Sequence, residues 1–80
     1  IEEQTAQSMR NVKSILAEAG LSMEHVVKTL IFLSDLSDFA AMNEVYESFL
    51  AKPYPASSCV QVAAIPKGAK VEIECIAQRP

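Results

Sequence analysis

The sequence has little of what metal and nucleotide sites require. Its 80 residues include one histidine, two cysteines, two glycines and no tryptophan. The single histidine, His25, cannot build a zinc site alone, and no Cys-x-x-Cys pair or His/Cys cluster accompanies it. Two isolated glycines, Gly20 and Gly68, cannot form a glycine-rich phosphate loop. The sequence therefore offers neither a metal site nor a phosphate-binding loop.

Long apolar runs and an excess of basic residues are also missing. The run from Leu30 to Leu33 falls far short of the ~20 residues that cross a bilayer, and no signal peptide opens the chain. Ten acidic residues against seven basic ones give a net charge of −3, whereas nucleic-acid binding needs a basic face. Two cysteines, Cys59 and Cys75, are typical of free thiols in a reducing compartment. We therefore expect a cytoplasmic protein that binds neither membranes nor nucleic acid.

Apolar periodicity predicts two helices. Apolar residues at spacings of three and four predict a first helix that ends at Gly20, a residue suited to the position after a helix. A second stripe of the same kind predicts a helix that Ser37 or Asp38 caps and that Pro53 stops. Both helices are therefore amphipathic, and each is expected to bury one side.

Strands are predicted between and after the helices. The almost continuous apolar run 26–33 indicates a strand covered on both faces, and alternation indicates strands over 57–65 and 71–78. The segment Pro66-Lys67-Gly68 favours an antiparallel hairpin between the last two strands. The order helix-strand-helix-strand-strand predicts a single α/β (α+β) domain over residues 1–80.

One face of the predicted sheet lacks a cover. A strand–helix–strand unit implies a right-handed crossover and a parallel pair, so both helices should cover one face of a small mixed sheet. The alternation assigns to the other face Cys59, Gln61, Ala63, Glu72, Glu74 and Ile76, with Ile31 or Phe32 added. An uncovered sheet face that is partly apolar marks an interface. We therefore expect this face to lie in an oligomer interface.

Three side chains are candidates for chemistry, and each has a structural alternative. Glu72 could orient water or move a proton in a cleft between subunits, or be a solvated strand residue. Cys59 would need a base and an electropositive setting to act as a nucleophile, so a small buried apolar role is favoured. Asn43, off the apolar stripe of the second helix, could hydrogen-bond a ligand or face solvent.

Two stretches of the sequence carry a resemblance to a known family: NVKSILAEAGLSMEHVVKTLIFLSDLSDFAAMNEVYESF and YPASSCVQVAAIPKGAKVEIECIA. They are similar to the RidA/YjgF family, also known as L-PSP endoribonucleases, across essentially the whole chain. The resemblance implies a homotrimer whose sheets form a central barrel, with active sites in clefts between subunits. It also implies hydrolysis of 2-iminopropanoate and 2-iminobutanoate to 2-keto acids and ammonia, without a cofactor or metal. Because an imine is already electrophilic, positioning a water and stabilising charge are sufficient.

The resemblance assigns roles to three residues. Asn43 matches the helix asparagine of the family's Val-Asn motif and is expected to bind substrate. Cys59 matches a cysteine whose backbone helps to hold the substrate. Glu72, the first acid of the segment VEIE, matches the carboxylate that positions water. We therefore take Glu72 and Cys59 as the predicted catalytic residues.

The chain departs from the family at Ser57. The family's Pro-Ala-Arg-Ser-Cys motif reads Pro-Ala-Ser-Ser-Cys over residues 55–59. Ser57, a predicted substrate-binding residue, therefore stands where the family has an arginine that pairs with the substrate carboxylate. Such a charge-assisted pair contributes ~1.5–3 kcal/mol, and serine cannot replace it. The alternative to an enzyme is thus a trimer that binds small ligands or regulates without catalysis.

A second departure is at the start of the chain. Typical members carry N-terminal strands that supply a glycine-rich segment and a tyrosine to the cleft, whereas this sequence begins at Ile1 and enters a helical pattern directly. We therefore expect a chain shortened at its N-terminus relative to the family. A third reading, ribonuclease or translation inhibitor, is disfavoured because the acidic balance leaves no basic patch.

Overall fold

Two helices form as the periodicity predicts in the computed structural model, which describes residues Ile1–Pro80. Helix α1 spans Glu2–Glu18 and helix α2 spans Phe39–Ser48. After α1, Gly20 adopts a φ of +76°, which glycine tolerates without a Cβ clash. This geometry lets the backbone N–H of Leu21 donate to the carbonyl of Leu16 at 2.8 Å, which closes the helix end.

Three strands form a mixed sheet with β1 at its centre. Strand β1, Val26–Leu33, has the bounds of the predicted apolar run. Strand β2, Ala56–Gln61, pairs with β1 in parallel, and strand β3, Val71–Ala77, pairs with it antiparallel on the other side. The sheet order β2-β1-β3 therefore confirms the predicted α+β arrangement.

The predicted hairpin between the last two strands is wrong. Strands β2 and β3 lie on opposite sides of β1, so the segment between them crosses the end of β1. The N–H of Val62 donates to the carbonyl of Leu33 at 2.9 Å, and the N–H of Ser34 donates to the carbonyl of Lys70 at 3.1 Å. Within this crossing, Pro66–Gly68 forms a short 3-10 helix instead of a tight turn.

Both helices pack on the same face of the sheet, as predicted. The core cluster joins the two helices to β1 and β3 through Met9, Met42, Tyr46, Ile31, Leu33 and Val71. Met42 and Leu33 are completely buried. Burial of each such side chain stabilises the fold by ~1.5–3 kcal/mol. Neither helix combines the length and the apolar character that a membrane crossing requires.

The other face of the sheet is uncovered in the protomer, which confirms the predicted bare face. The strand registers place nine side chains on this open face: Lys28, Leu30, Phe32, Ala56, Ser58, Val60, Glu72, Glu74 and Ile76. Ile76 is 61% exposed and Val60 is 43% exposed.

The membership of the open face corrects part of the prediction. Cys59 and Gln61 do not lie on it, because they pair with Ile31 and Leu33, whose side chains are buried under the helices. Ile31 itself belongs to the core, and Phe32 is the β1 residue that faces outward. The alternation within β2 was predicted correctly, but its two sets of alternating side chains lie on the faces opposite to those predicted.

Candidate functional site

A cavity of about 380 Å³ lies between helix α2 and strand β2, on the helix-covered side of the sheet. Three of the four predicted site residues line it, namely Asn43, Ser57 and Cys59. Asn43 comes from α2, and the other two come from β2, which is an edge strand. The structure therefore brings together residues from two elements that are connected by residues 49–55.

Strand pairing fixes the direction of the two β2 side chains. In the parallel register Ser57 lies beside Thr29 and Cys59 lies beside Ile31. Because alternate residues of a strand point to the same face, Ser57 and Cys59 both point toward α2. Cys59 packs against the edge of the core, whereas Ser57 stays exposed.

A chain of three hydroxyl groups runs from the core to the cavity. The hydroxyl oxygens of Tyr46 and Thr29 lie 2.7 Å apart, and the hydroxyl of Thr29 donates to Oγ of Ser57 at 3.1 Å. Since Thr29 gives its single proton to Ser57, Tyr46 is the donor to Thr29. The proton of Ser57 therefore remains available to a ligand in the cavity.

Asn43 is held by a carboxylate on its own helix. Its Nδ2 donates to Oε1 of Glu47 at 3.0 Å, a contact that the spacing of four residues allows on one helix face. Glu47 also lines the cavity. The amide oxygen of Asn43 and one oxygen of Glu47 therefore remain as acceptors for a ligand.

The thiol of Cys59 is poorly suited to nucleophilic attack. Burial raises the pKa of the Cys59 thiol above its ordinary value, because a low-dielectric environment disfavours the charged thiolate. A thiol that stays protonated at neutral pH is a weak nucleophile. The side chain of Cys59 therefore lines the cavity, and its raised pKa disfavours a role as a nucleophile.

Glu72 does not share this cavity within one protomer. It pairs with Phe32 and lies exposed on the open face, on the same side as Glu74. The sheet therefore separates Glu72 from the other three predicted site residues. No group of three or more His, Cys, Asp or Glu side chains lies close enough to hold a metal ion.

Three further residues with polar groups line the cavity and were not predicted from the sequence as site residues: Tyr46, Glu47 and Tyr54. Glu47 could have been found, because the spacing of four residues from Asn43 places it on the same helix face. Tyr46 lies in the apolar stripe that predicts the second helix, and that pattern does not mark its hydroxyl. Its hydroxyl contact to Thr29 depends on how α2 packs on β1, which the local sequence does not specify.

Comparison with known proteins gives a consistent result. The sequence profile of the family described as Endoribonuclease L-PSP matches residues 1–79. A Salmonella typhimurium protein named 2-iminobutanoate/2-iminopropanoate deaminase is 48% identical over 99% of this chain and 64% of its own length. The Arabidopsis thaliana protein Reactive Intermediate Deaminase A, chloroplastic, is 49% identical over 96% of this chain and 41% of its own length.

Solved structures agree with the sequence matches. RidA from an Antarctic Psychrobacter superimposes with a TM-score of 0.94 at 51% identity, covering 96% of this chain and 63% of the other. Escherichia coli TdcF with bound serine gives a TM-score of 0.94 at 48% identity, covering 99% and 65%. The chain thus spans less than two thirds of the length of these relatives. By sequence and by fold, the chain belongs to the L-PSP endoribonuclease family, which includes the RidA and TdcF proteins.

Proposed function

We propose that this chain hydrolyses small reactive imines, with 2-iminopropanoate and 2-iminobutanoate as reference substrates, and releases 2-keto acids and ammonia. The observation that carries the proposal is the cavity between α2 and β2, which gathers Asn43, Ser57 and Cys59. A relative that is 48% identical is named for deamination of these two imines. The two free cysteines support a cytoplasmic location.

The reaction needs few groups from the protein. A water molecule adds to the imine carbon, the carbon–nitrogen bond of the resulting carbinolamine breaks, and ammonia leaves. The hydroxyl of Ser57 and the amide of Asn43 orient the substrate. A carboxylate accepts the proton that the attacking water loses and returns it to the nitrogen that leaves as ammonia. We assign this carboxylate to Glu72.

The position of Glu72 requires a second copy of the chain. Because Glu72 and the cavity lie on opposite faces of one sheet, a site with both is completed by a neighbouring subunit. The open face, with its exposed Val60 and Ile76, is the surface that subunits would bury. We propose a homotrimer in which Glu72 of one subunit faces the cavity of the next.

A second candidate is a trimer that binds small ligands without catalysis. Ser57 favours it, because this hydroxyl cannot form the bidentate ion pair with a carboxylate that arginine forms. The two candidates differ in one property. The enzyme accelerates imine hydrolysis, whereas the binding protein leaves the rate at its value in buffer.

The test generates 2-iminobutanoate from threonine with a pyridoxal-phosphate dehydratase and follows the appearance of 2-oxobutanoate. We expect the chain to accelerate its release and the Glu72→Gln variant to lose most of that acceleration. The Glu74→Gln variant is the matched control, because Glu74 lies on the same strand and face. No acceleration by the wild type, with the Ser57→Arg variant equally inactive, would contradict the enzymatic proposal.

A further inference from the structure

We infer that the cavity between α2 and β2 prefers imines that carry no carboxylate, and that Glu47 sets this preference. The inference rests on the proposed imine hydrolysis and narrows its substrate class, because it ranks the two reference imines, which carry a carboxylate, below imines that carry none. The side chains that line the cavity determine which charge a bound group can carry.

Within one protomer the cavity is lined by one acidic side chain and no basic one. In the proposed trimer, Glu72 of the neighbouring subunit would add a second acidic group. Of the nine residues that line the cavity in the protomer, none is lysine, arginine or histidine, and Glu47 is the one carboxylate. A carboxylate that enters the cavity would therefore meet a like charge and no counter-charge.

The negative charge of Glu47 is not neutralised within the protomer. The structure contains one ion pair, between Arg10 and Glu3, and both residues lie on α1 and not at the cavity. Glu47 instead accepts a neutral hydrogen bond from Asn43 at 3.0 Å, which orients its carboxylate but leaves its charge intact. An oriented and unpaired carboxylate in a half-buried site attracts a cation.

A protonated imine fits this arrangement. Its nitrogen carries N–H groups and a positive charge, so it can donate to the free acceptors of Glu47 and Asn43. The Oγ of Ser57 accepts from Thr29 at 3.1 Å and keeps a second lone pair, which can accept from an iminium N–H. The cavity therefore complements the iminium group itself and has no cationic side chain to pair with an adjacent carboxylate.

Oxidation of primary amines is the class of reaction that supplies such imines. An amine oxidase passes two electrons and two protons from R–CH₂–NH₂ to dioxygen, which gives R–CH=NH and hydrogen peroxide. Water then adds to the carbon, the carbon–nitrogen bond breaks, and the products are the aldehyde R–CHO and ammonia. Atoms balance with water as the co-reactant, and the hydrolysis step transfers no electrons.

The test titrates the full chain with two stable probes and follows the backbone amide signals of the cavity residues by NMR. Propionamidinium mimics a protonated imine, and 2-oxobutanoate carries the carboxylate. We expect propionamidinium to bind at the cavity with a Kd at least tenfold lower than that of 2-oxobutanoate. The Glu47→Gln variant, which keeps an acceptor for Asn43, should lose at least tenfold in propionamidinium affinity.

The Glu44→Gln variant is the matched control, because Glu44 is exposed on the same helix and does not line the cavity. It should leave both affinities unchanged. Tighter or equal binding of 2-oxobutanoate by the wild type would overturn the inference. So would propionamidinium binding that is unaffected by Glu47→Gln.

A kinetic comparison separates this inference from the proposed function. Propanimine from an amine oxidase acting on propylamine is compared with 2-iminobutanoate from a dehydratase. Faster hydrolysis of propanimine supports the inference, and faster hydrolysis of 2-iminobutanoate overturns it. If neither imine is hydrolysed faster than in buffer, the proposed function fails, and the probe titration still decides the charge preference of the cavity.

Discussion

Cys59 and Glu72 lie on opposite faces of the same sheet. Cys59 pairs with Ile31 and Glu72 pairs with Phe32, and these two neighbours in β1 point in opposite directions. Cys59 therefore faces the helices, whereas Glu72 faces outward. Chemistry that uses both residues requires a neighbouring subunit, and several predictions depend on this separation.

The Ser57→Arg substitution should increase activity on 2-imino acids. A guanidinium at this position would pair with the substrate carboxylate, which is worth ~1.5–3 kcal/mol. We therefore expect kcat/KM for 2-iminobutanoate to rise about 10- to 150-fold. Steady-state kinetics measures the change, and Ser48→Arg, an exposed position at the end of α2, serves as the control with the same added charge. An equal gain in both variants would mean that the added positive charge raises the activity regardless of its position.

The Tyr46→Phe substitution should destabilise the fold modestly. It removes the buried hydrogen bond between Tyr46 and Thr29, which spans 2.7 Å, while Thr29 keeps its bond to Ser57. We expect the free energy of unfolding to fall by ~0.5–1.5 kcal/mol, measured by urea denaturation. Tyr54→Phe is the control, since Tyr54 is 44% exposed, and it should change stability by less than ~0.5 kcal/mol. Equal effects would show that the buried hydrogen bond contributes nothing.

The Ile76→Lys substitution should dissociate the oligomer. Ile76 is 61% exposed on the open face and pairs with Lys28, so a second cation there would be buried next to a like charge. Light scattering should show a trimer for the wild type and a monomer for this variant. Ile15→Lys is the matched control, because Ile15 is 67% exposed on α1. A wild-type monomer, or a trimer that tolerates Ile76→Lys, would exclude the open face as the interface.

The thiol of Cys59 should react slowly at neutral pH. Burial raises its pKa above the ordinary value, so the thiolate forms at higher pH than in the unfolded chain. In a Cys75→Ala variant, the midpoint of the iodoacetamide alkylation rate against pH should be higher for the folded protein than for the urea-unfolded one. A lower midpoint in the folded protein would indicate an activated nucleophile instead.

Much of the fold follows from local pattern, and the departures have physical causes. The apolar run gave the bounds of β1 correctly, and Gly20 marked the end of α1. The predicted continuation of β2 beyond Gln61 and the predicted hairpin were wrong. The segment between β2 and β3 crosses the end of β1 instead, where hydrogen bonds to Leu33 and Ser34 hold it. Such contacts lie far apart in sequence, and local alternation cannot reveal them.

The residues of the candidate site could be predicted in part, but their geometry could not. Asn43, Ser57 and Cys59 were identified from motif positions, and the structure places all three at one cavity. The face on which Cys59 lies depends on the register between β2 and β1, since a shift of one residue in the pairing moves every side chain of the strand to the opposite face. The separation of Glu72 from the cavity follows from the same register.

Subunit complementation tests the central claim most directly, namely that imine hydrolysis uses the cavity of one subunit and Glu72 of another. Equal amounts of Asn43→Ala and Glu72→Gln chains are unfolded, mixed and refolded, and the release of 2-oxobutanoate from 2-iminobutanoate is measured. Each variant alone should be nearly inactive. With random mixing, about a quarter of the sites combine two intact contributions, so we predict about a quarter of wild-type activity. Activity no higher than that of either variant alone would contradict the shared site.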